Sequence, residues 1–169
     1  MSELRALALG LDRWVARAEA VVIVILVTML TAVTFAQVCA RYVLGDPLIW
    51  SEEAARYLFV WVSMIGAALA LREGGHFGLD LLIRRAPVLK PALGPLVTLV
   101  IALFLLILLK TGIDETSLAS RQFAMTFPMH MQWAYLALPT GAGLMLFHLA
   151  MQVVRSPSMH ILDIRREPE

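Results

Sequence analysis

Four long stretches of the chain are dominated by apolar residues, and this feature constrains the fold more than any other. A helix that crosses a bilayer needs about 20 mostly apolar residues, because each residue rises about 1.5 Å and the hydrocarbon core is about 30 Å thick. The stretches lie at about residues 20–40, 47–71, 91–109 and 132–154. Their apolar runs are continuous, whereas a strand of a membrane barrel alternates apolar and polar residues. The sequence therefore predicts an all-α integral membrane protein with four transmembrane helices.

The composition agrees with lipid as the main solvent. Of the 169 residues, 60% are hydrophobic and only 16% are charged, against about 45–50% and about 25% in soluble domains. The single cysteine, Cys39, excludes an internal disulfide framework. No residue spacing indicates a zinc site or a phosphate-binding loop, and no basic stripe is typical of nucleic-acid binding. We expect no cofactor, no metal and no nucleic-acid partner.

The segments outside the four spans complete one membrane domain over residues 1–169. Residues 1–19 favour an amphipathic helix on the cytoplasmic surface, and residues 80–90 favour a second interfacial segment. Residues 155–169 form a predicted cytoplasmic tail. The first span ends in a motif that resembles a signal-peptidase site, but it is longer than a signal sequence requires, so we expect it to be retained. The apolar face of the first segment carries Leu4, Leu7, Leu11 and Trp14.

Basic residues orient the predicted bundle. Lys and Arg concentrate in short loops on the cytoplasmic side of a membrane. Ten of the fourteen lie in the N-terminal segment, the loop between the second and third spans, and the C-terminal tail, so both termini are predicted to be cytoplasmic. The ten are Arg5, Arg13, Arg17, Arg72, Arg84, Arg85, Lys90, Arg155, Arg165 and Arg166, and the other four are Arg41, Arg56, Lys110 and Arg121.

The turn between the first two spans is the most distinctive part of the sequence. Ser51, or else Asp46 followed by Pro47, is placed to cap the second helix, with Glu52 and Glu53 at its positive end. Both carboxylates lie within one turn of Arg56, so either can pair with it. Arg41 returns toward the same carboxylates across the turn. Two interpretations stay open: the cluster only caps and anchors the helix hairpin, or it docks a partner subunit.

These residues resemble the small membrane subunit, the Q-type or DctQ-like subunit, of tripartite ATP-independent periplasmic (TRAP) transporters. The resemblance is carried by the end of the first helix, the start and middle of the second, the loop after it, and a weaker signal in the fourth. We expect partner-contact or structural roles for these residues and for two further packing or pairing positions, Arg56 and Trp61. The residues of the resemblance are Arg41, Tyr42, Trp50, Ser51, Glu52, Glu53, Gly66, Arg72, His76, Asp80, Pro139, Gly141 and Gly143.

The resemblance implies a division of labour. A large membrane subunit would hold the substrate and sodium sites, a soluble periplasmic protein would deliver a small organic anion, and this chain would scaffold the large subunit in a bacterial or archaeal cytoplasmic membrane. The residues agree with that role, because the spans show no acidic residue at mid-membrane. A stand-alone ion-coupled carrier usually has one.

Other classes of function find less support in the residues. Of the four histidines only His148 lies well inside a span, so two axial haem ligands cannot face one another, and His148 is better explained as a polar helix contact beside Gln152. An intramembrane enzyme would need a nucleophile and a base at one depth, and Ser63 has no histidine level with it. A generic membrane assembly protein remains an alternative. We expect no enzymatic activity.

The predicted orientation can be tested by cysteine labelling in intact cells. With Cys39 replaced, Leu48→Cys should react with a membrane-impermeant maleimide. Ala86→Cys should react only after the membrane is permeabilised, because the loop that contains it is rich in Arg and Lys. The reverse pattern would overturn the topology.

Overall fold

Helices account for nearly all of the regular structure. The computed structural model describes the backbone of residues 2–73 and 90–155 and the side chains of residues 7–73 and 94–154. Within these ranges the helices are α1 (Ser2–Cys39), α2 (Ser51–Arg72), α3 (Lys90–Ala119), α4 (Gln132–Tyr135) and α5 (Ala137–Arg155), with a π-helical turn at Ala40–Leu44. The described residues include no β-strand, only an isolated bridge between Phe123 and His130.

Four stretches are long and apolar enough to cross a membrane: Leu7–Leu44, Ser51–Arg72, Gly94–Ala119 and Gln132–Val154. The predicted all-α membrane class with four spans is therefore confirmed. The predicted interfacial segment at residues 80–90, except for Lys90, and the predicted tail beyond Arg155 lie outside the described residues.

The first helix differs from the prediction, because residues 1–19 do not form a separate surface segment. From Ser2 onward they continue into the first span as one helix of 38 residues. Such a helix is about 57 Å long at 1.5 Å per residue, well beyond the hydrocarbon thickness of about 30 Å. Hydropathy indicates the residue at which a helix leaves the lipid. The backbone hydrogen bonds of the helix can continue beyond that residue. The amino-terminal half of α1 is thus a rigid extension of the span.

The same difference between the apolar run and the helix explains the length of α3. The division of the last span has a separate cause, which is a proline. The apolar run predicted at residues 91–109 continues as helix to Ala119. The last span is divided at Leu136 into α4 and α5. Pro139 lies three residues later and has no N–H to donate to the carbonyl four residues before it. The proline therefore sits in the first turn of α5, where a missing donor costs little.

The helices pack in the order α1, α2, α5, α3. Helix α2 contacts α1 on one side and α5 on the other, and α3 packs on α5. The most buried cluster lies between α2, α3 and α5 and consists of Ala68, Leu71, Leu105, Met145 and Leu149.

Two glycines permit the closest helix contacts. A Cβ atom added at Gly141 would lie 2.7 Å from the Cβ of Met64, and one added at Gly112 would lie 2.9 Å from the backbone nitrogen of Pro139. Gly66 and Gly143, which the sequence suggested as packing positions, have no such neighbour within 4 Å. Small residues let membrane helices approach, and in this chain the approach between α2 and α5 depends on Gly141.

Gly141→Ala should destabilise the bundle by about 1–3 kcal/mol, the usual cost of overpacking. The added methyl group meets the Cβ and carbonyl oxygen of Met64, which cannot move without the backbone, as well as the flexible Cε of the same side chain. Gly143→Ala is the matched control. It makes the same change two residues away on the same helix, in open space, so both variants share any gain in helix propensity. Unfolding in detergent should separate the two, and equal stabilities would contradict this account of the α2–α5 contact.

Candidate functional site

The turn between α1 and α2 is closed by hydrogen bonds from its own residues. Gly45 takes a positive φ of 71°, a conformation that favours glycine. The Oε1 atom of Gln37 accepts bonds from the backbone N–H of Leu48 at 3.0 Å and from the hydroxyl of Ser51 at 2.6 Å. Ser51 is therefore buried and ties the turn to α1. The prediction that Ser51 or Asp46 caps α2 is corrected: the N-cap residue is Trp50, and no side chain caps the helix.

Glu53 fastens the loop between α3 and α4 to the first turn of α2. Its Oε2 accepts bonds from the backbone N–H of Thr126 at 2.9 Å and from the Thr126 hydroxyl at 2.5 Å. Its Oε1 accepts bonds from the hydroxyl of Tyr57 at 2.6 Å and the backbone N–H of Met125 at 3.2 Å. The sequence allowed Glu53 to pair with Arg56, but in the structure Glu53 makes these other contacts instead. Two of its three partners, Met125 and Thr126, lie more than 70 residues away in the chain, which no local spacing reveals.

We name Glu53 and its bonds to Tyr57, Met125 and Thr126 the Glu53 clamp. The remaining predicted charges lie beside it and face outward. Glu52 and Arg56 form an ion pair of 3.2 Å, with side chains 83% and 67% exposed. Among the ion pairs of the described residues none involves Arg41, so its expected return toward the carboxylates is not observed. We name as the hairpin-end surface the five exposed residues Arg41, Tyr42, Trp50, Glu52 and Arg56.

An open cavity of about 680 Å³ adjoins this surface between α2, the α3–α4 loop and α4. Arg56 and the Glu53 clamp lie on its polar side, and Val60 and Leu138 on its apolar side. Deeper along α2, the indole N–H of Trp61 donates to the carbonyl of Trp133 at 3.0 Å. Trp61 therefore links α2 to α4 through this bond.

The opposite end of the bundle holds a buried polar group that sequence reasoning missed. The Nε of Arg72 donates to Oδ2 of Asp12 at 3.0 Å. The ring of His148 lies between Oδ1 of Asp12, at 2.9 Å, and the carboxylate of Glu19, at 3.0 Å. We name these four residues the buried charge cluster. The signal that could have found it is the spacing of Asp12 and Glu19, which are two helical turns apart and therefore share one face of α1.

The structure also gives the contacts of other positions that the sequence singled out. His148 is a polar helix contact, as expected, but its partners are on α1. Gln152 donates instead to the carbonyl of Leu71 at 2.7 Å. Arg72 is held by Asp12, and Pro139 packs on Gly112. His76 and Asp80 lie outside the described residues.

The chemistry of these contacts is structural. Among the described side chains no group of three or more His, Cys, Asp or Glu residues is arranged to hold a metal ion. In the buried charge cluster the two carboxylates meet different nitrogens of the His148 ring rather than a common point. The conspicuous polar side chains either join one helix to another, as in the clamp and the buried charge cluster, or face outward at the hairpin-end surface.

Comparison with known proteins agrees with this arrangement. The family described as tripartite ATP-independent periplasmic transporters, DctQ component, matches residues 30–157. That range contains three of the four spans in full and both the hairpin turn and the Glu53 clamp.

Relatives of known name carry the same description. The chain is 29% identical to the sialic acid TRAP transporter small permease protein SiaQ of Vibrio cholerae, over 76% of this chain and 75% of that protein. It is 35% identical to the C4-dicarboxylate TRAP transporter small permease protein DctQ of Vibrio cholerae, over 49% of this chain and 36% of that protein.

A third relative is larger. The chain is 33% identical to the sialic acid TRAP transporter permease protein SiaT of Haemophilus influenzae over 116 residues, which are 68% of this chain and 19% of that protein. The chain thus spans about a fifth of SiaT and the match to DctQ about a third of that protein. Because the family matches most of the chain and the fold has the expected four spans, the chain belongs to the DctQ family of TRAP transporter small permease subunits, which are multi-pass membrane proteins and not enzymes.

Proposed function

We propose that this chain is the fixed membrane scaffold of a three-component transporter, in which a large membrane subunit moves a small organic anion and a periplasmic protein delivers it. The chain would lie in the cytoplasmic membrane of a bacterium or archaeon with both termini inside. The observation that carries the proposal is the match to SiaT, because there a stretch similar to this chain is one fifth of a longer permease polypeptide. A stretch joined covalently to a larger permease in one relative is expected to associate with one when it is a separate chain.

The contacts within the chain favour a scaffold role over direct transport of a solute. The charged side chains that are buried among the described residues are already engaged with one another, and the hairpin turn uses its amide and hydroxyl groups internally. The hydroxyls of Thr28, Ser63 and Thr98, which lie in three of the spans, donate to carbonyls of their own helix. Little polarity is left within the membrane to replace the hydration of a solute or an ion.

The energy source follows from the family description. A transporter that is independent of ATP must draw on an ion gradient to accumulate its substrate, and we propose that the ion is sodium and that it binds to the large subunit. For the substrate, relatives are named for sialic acid and for C4-dicarboxylates. Both are small organic acids, and we propose a solute of this class.

The hairpin-end surface is the proposed contact with the large subunit. An ion pair as exposed as Glu52–Arg56 adds little to the stability of the chain itself, about 0–1 kcal/mol. In a complex the same charges can be desolvated against complementary groups, and Trp50 and Tyr42 supply the aromatic area typical of interface hot spots. Glu53, in contrast, is committed to the internal clamp.

A reconstitution experiment tests the scaffold role. The chain is solubilised gently, and the large membrane protein that co-purifies with it is identified by mass spectrometry. In liposomes the chain alone should take up neither sialic acid nor C4-dicarboxylates. Uptake should require the large subunit, a periplasmic binding protein and an inward sodium gradient. Uptake by the chain alone would defeat the proposal, and uptake that ignores the sodium gradient would defeat the proposed coupling ion.

The docking role is tested by Arg56→Ala. We expect this variant to lower the recovery of the large subunit several-fold and to lower transport with it, while the melting temperature of the isolated chain stays unchanged because the lost ion pair is exposed. Arg13→Ala is the matched control. Arg13 is also exposed, but it lies toward the other end of the bundle, and among the described residues its side chain bonds to the carbonyl of Leu9 in its own helix. Equal recovery with both variants would refute docking through the hairpin-end surface.

A further inference from the structure

The buried charge cluster has no part in the proposed docking surface, and its composition is unusual for the end of a membrane bundle. Asp12 and His148 are 0% exposed and Glu19 is 5% exposed. Arg72 reaches the same place from α2 with a side chain that is 21% exposed. The cluster joins α1 to both α2 and α5. Burying charges is costly unless each one finds a partner.

The arrangement on α1 is selective. Asp12 and Glu19 turn inward, whereas the two arginines between them, Arg13 and Arg17, are exposed. Two helical turns separate the carboxylates, a rise of about 10 Å, and the imidazole of His148 occupies the gap. Its two nitrogens lie on different edges of the ring, so that each meets one carboxylate. Nδ1 is 2.9 Å from Oδ1 of Asp12, and Nε2 is 3.0 and 3.1 Å from the two oxygens of Glu19.

These distances fix the number of protons. An ionised carboxylate only accepts hydrogen bonds, and a neutral imidazole has a single N–H to donate. Two contacts of hydrogen-bond length between the ring and two carboxylates need two protons. A neutral ring between two ionised carboxylates supplies only one, and its other nitrogen would face an oxygen lone pair without water, at a cost comparable to a buried unsatisfied group. The second proton must lie on the ring or on one of the carboxyl groups.

We propose that His148, Asp12 and Glu19 form a buried proton-binding site, which holds one proton more than a neutral imidazole and two free carboxylates would hold. The ligand is a single proton, and it makes the contact between α1 and α5 attractive at both ring nitrogens. The packing of the amino-terminal half of α1 on the bundle therefore depends on an occupied site.

Among the described residues, each helix contributes identifiable groups around the site. From α2 the site receives Arg72, and from α1 it receives the two carboxylates. On α5, Gln152 donates to the backbone of α2. The described charged residues of α3 lie toward the far end of α5, where Gly112 meets Pro139; they are Lys110, Asp114 and Glu115. Asp12 has an additional interaction, and the proton requirement does not depend on it, because the requirement concerns only the two contacts of the ring.

The decisive measurement is the protonation of His148 in the intact chain. The protein is labelled with 15N-histidine, reconstituted in lipid nanodiscs and held at about pH 8, where an isolated imidazole is neutral. The His148 signal is assigned by its loss in His148→Gln. We expect protons on both ring nitrogens, or a proton on one nitrogen together with an infrared carboxylic-acid band that Glu19→Gln or Asp12→Asn removes. One ring proton with no such band would overturn the proposal.

His130 provides the internal control. Its Nδ1 lies 3.0 Å from a single acceptor, the carbonyl of Ser120, so one ring proton satisfies that contact. The expected difference in the same spectrum is an additional proton at the His148 site relative to His130. Two protons on His130 as well would show that the lipid environment charges histidines in general, which would overturn the assignment of a specific site.

The pH dependence of unfolding tests the same proton independently. If the folded chain holds a proton that the unfolded chain releases, stability falls as the pH rises, and the unfolding equilibrium constant rises by up to tenfold per pH unit above the ordinary histidine pKa of about 6.5. His130→Gln should keep this dependence and His148→Gln should lose it. The same slope in both variants would overturn the proposal. Neither measurement uses the large subunit, so the outcome is independent of the proposed transport role.

Discussion

The absence of water from the hydrocarbon core is the constraint on which the rest of this structure depends. Every backbone N–H and C=O inside a bilayer needs a partner within the protein, which restricts a spanning segment to a helix or a closed barrel. The constraint extends to side chains. The hydroxyls of Thr28, Ser63 and Thr98 bond to carbonyls of their own helix, and the charged or amide side chains that tie helices together lie near the ends of the bundle. At mid-membrane, contact between helices is left to small and apolar residues, and the close approach at Gly141 is an example.

The two ends of the bundle are fastened in different ways. At the hairpin end, one carboxylate, Glu53, accepts four hydrogen bonds and holds the α3–α4 loop on the start of α2. At the other end, four charged or titratable side chains from three helices are buried together. Between these fastenings the bundle has few polar contacts that a conformational change could exchange. This agrees with the proposed role as a fixed scaffold and with membership of a family of small permease subunits.

The exposed charges at the hairpin-end surface differ from the polar groups that fasten the two ends of the bundle. The polar groups of the clamp and of the buried charge cluster are engaged within the chain, whereas Glu52 and Arg56 are paired with each other at high exposure. They lie at the start of α2, beside the exposed aromatic residues Tyr42 and Trp50. An exposed ion pair adds little to the stability of the chain alone. In the proposed complex these charges contribute to the binding of the large subunit.

What the sequence determined by itself is the set of features that each residue decides alone or with near neighbours along the chain. The transfer of side chains to lipid is nearly additive, so composition and run length predicted the membrane class and the four spans. A local motif of about forty residues led to the correct family. The ends of α1 and α3 were missed, because hydropathy reports the edge of the lipid and these helices continue past it.

Only the tertiary structure decided which residues meet. Asp12 and His148 are 136 residues apart, and Glu53 and Thr126 are 73 apart. Whether such pairs touch depends on the rotation and tilt of each helix, which are set by packing against its neighbours and leave no local trace in the sequence. The same is true of the glycines: Gly141 and Gly143 look alike in the sequence, and the rotation of α5 alone places one against Met64 and the other in open space.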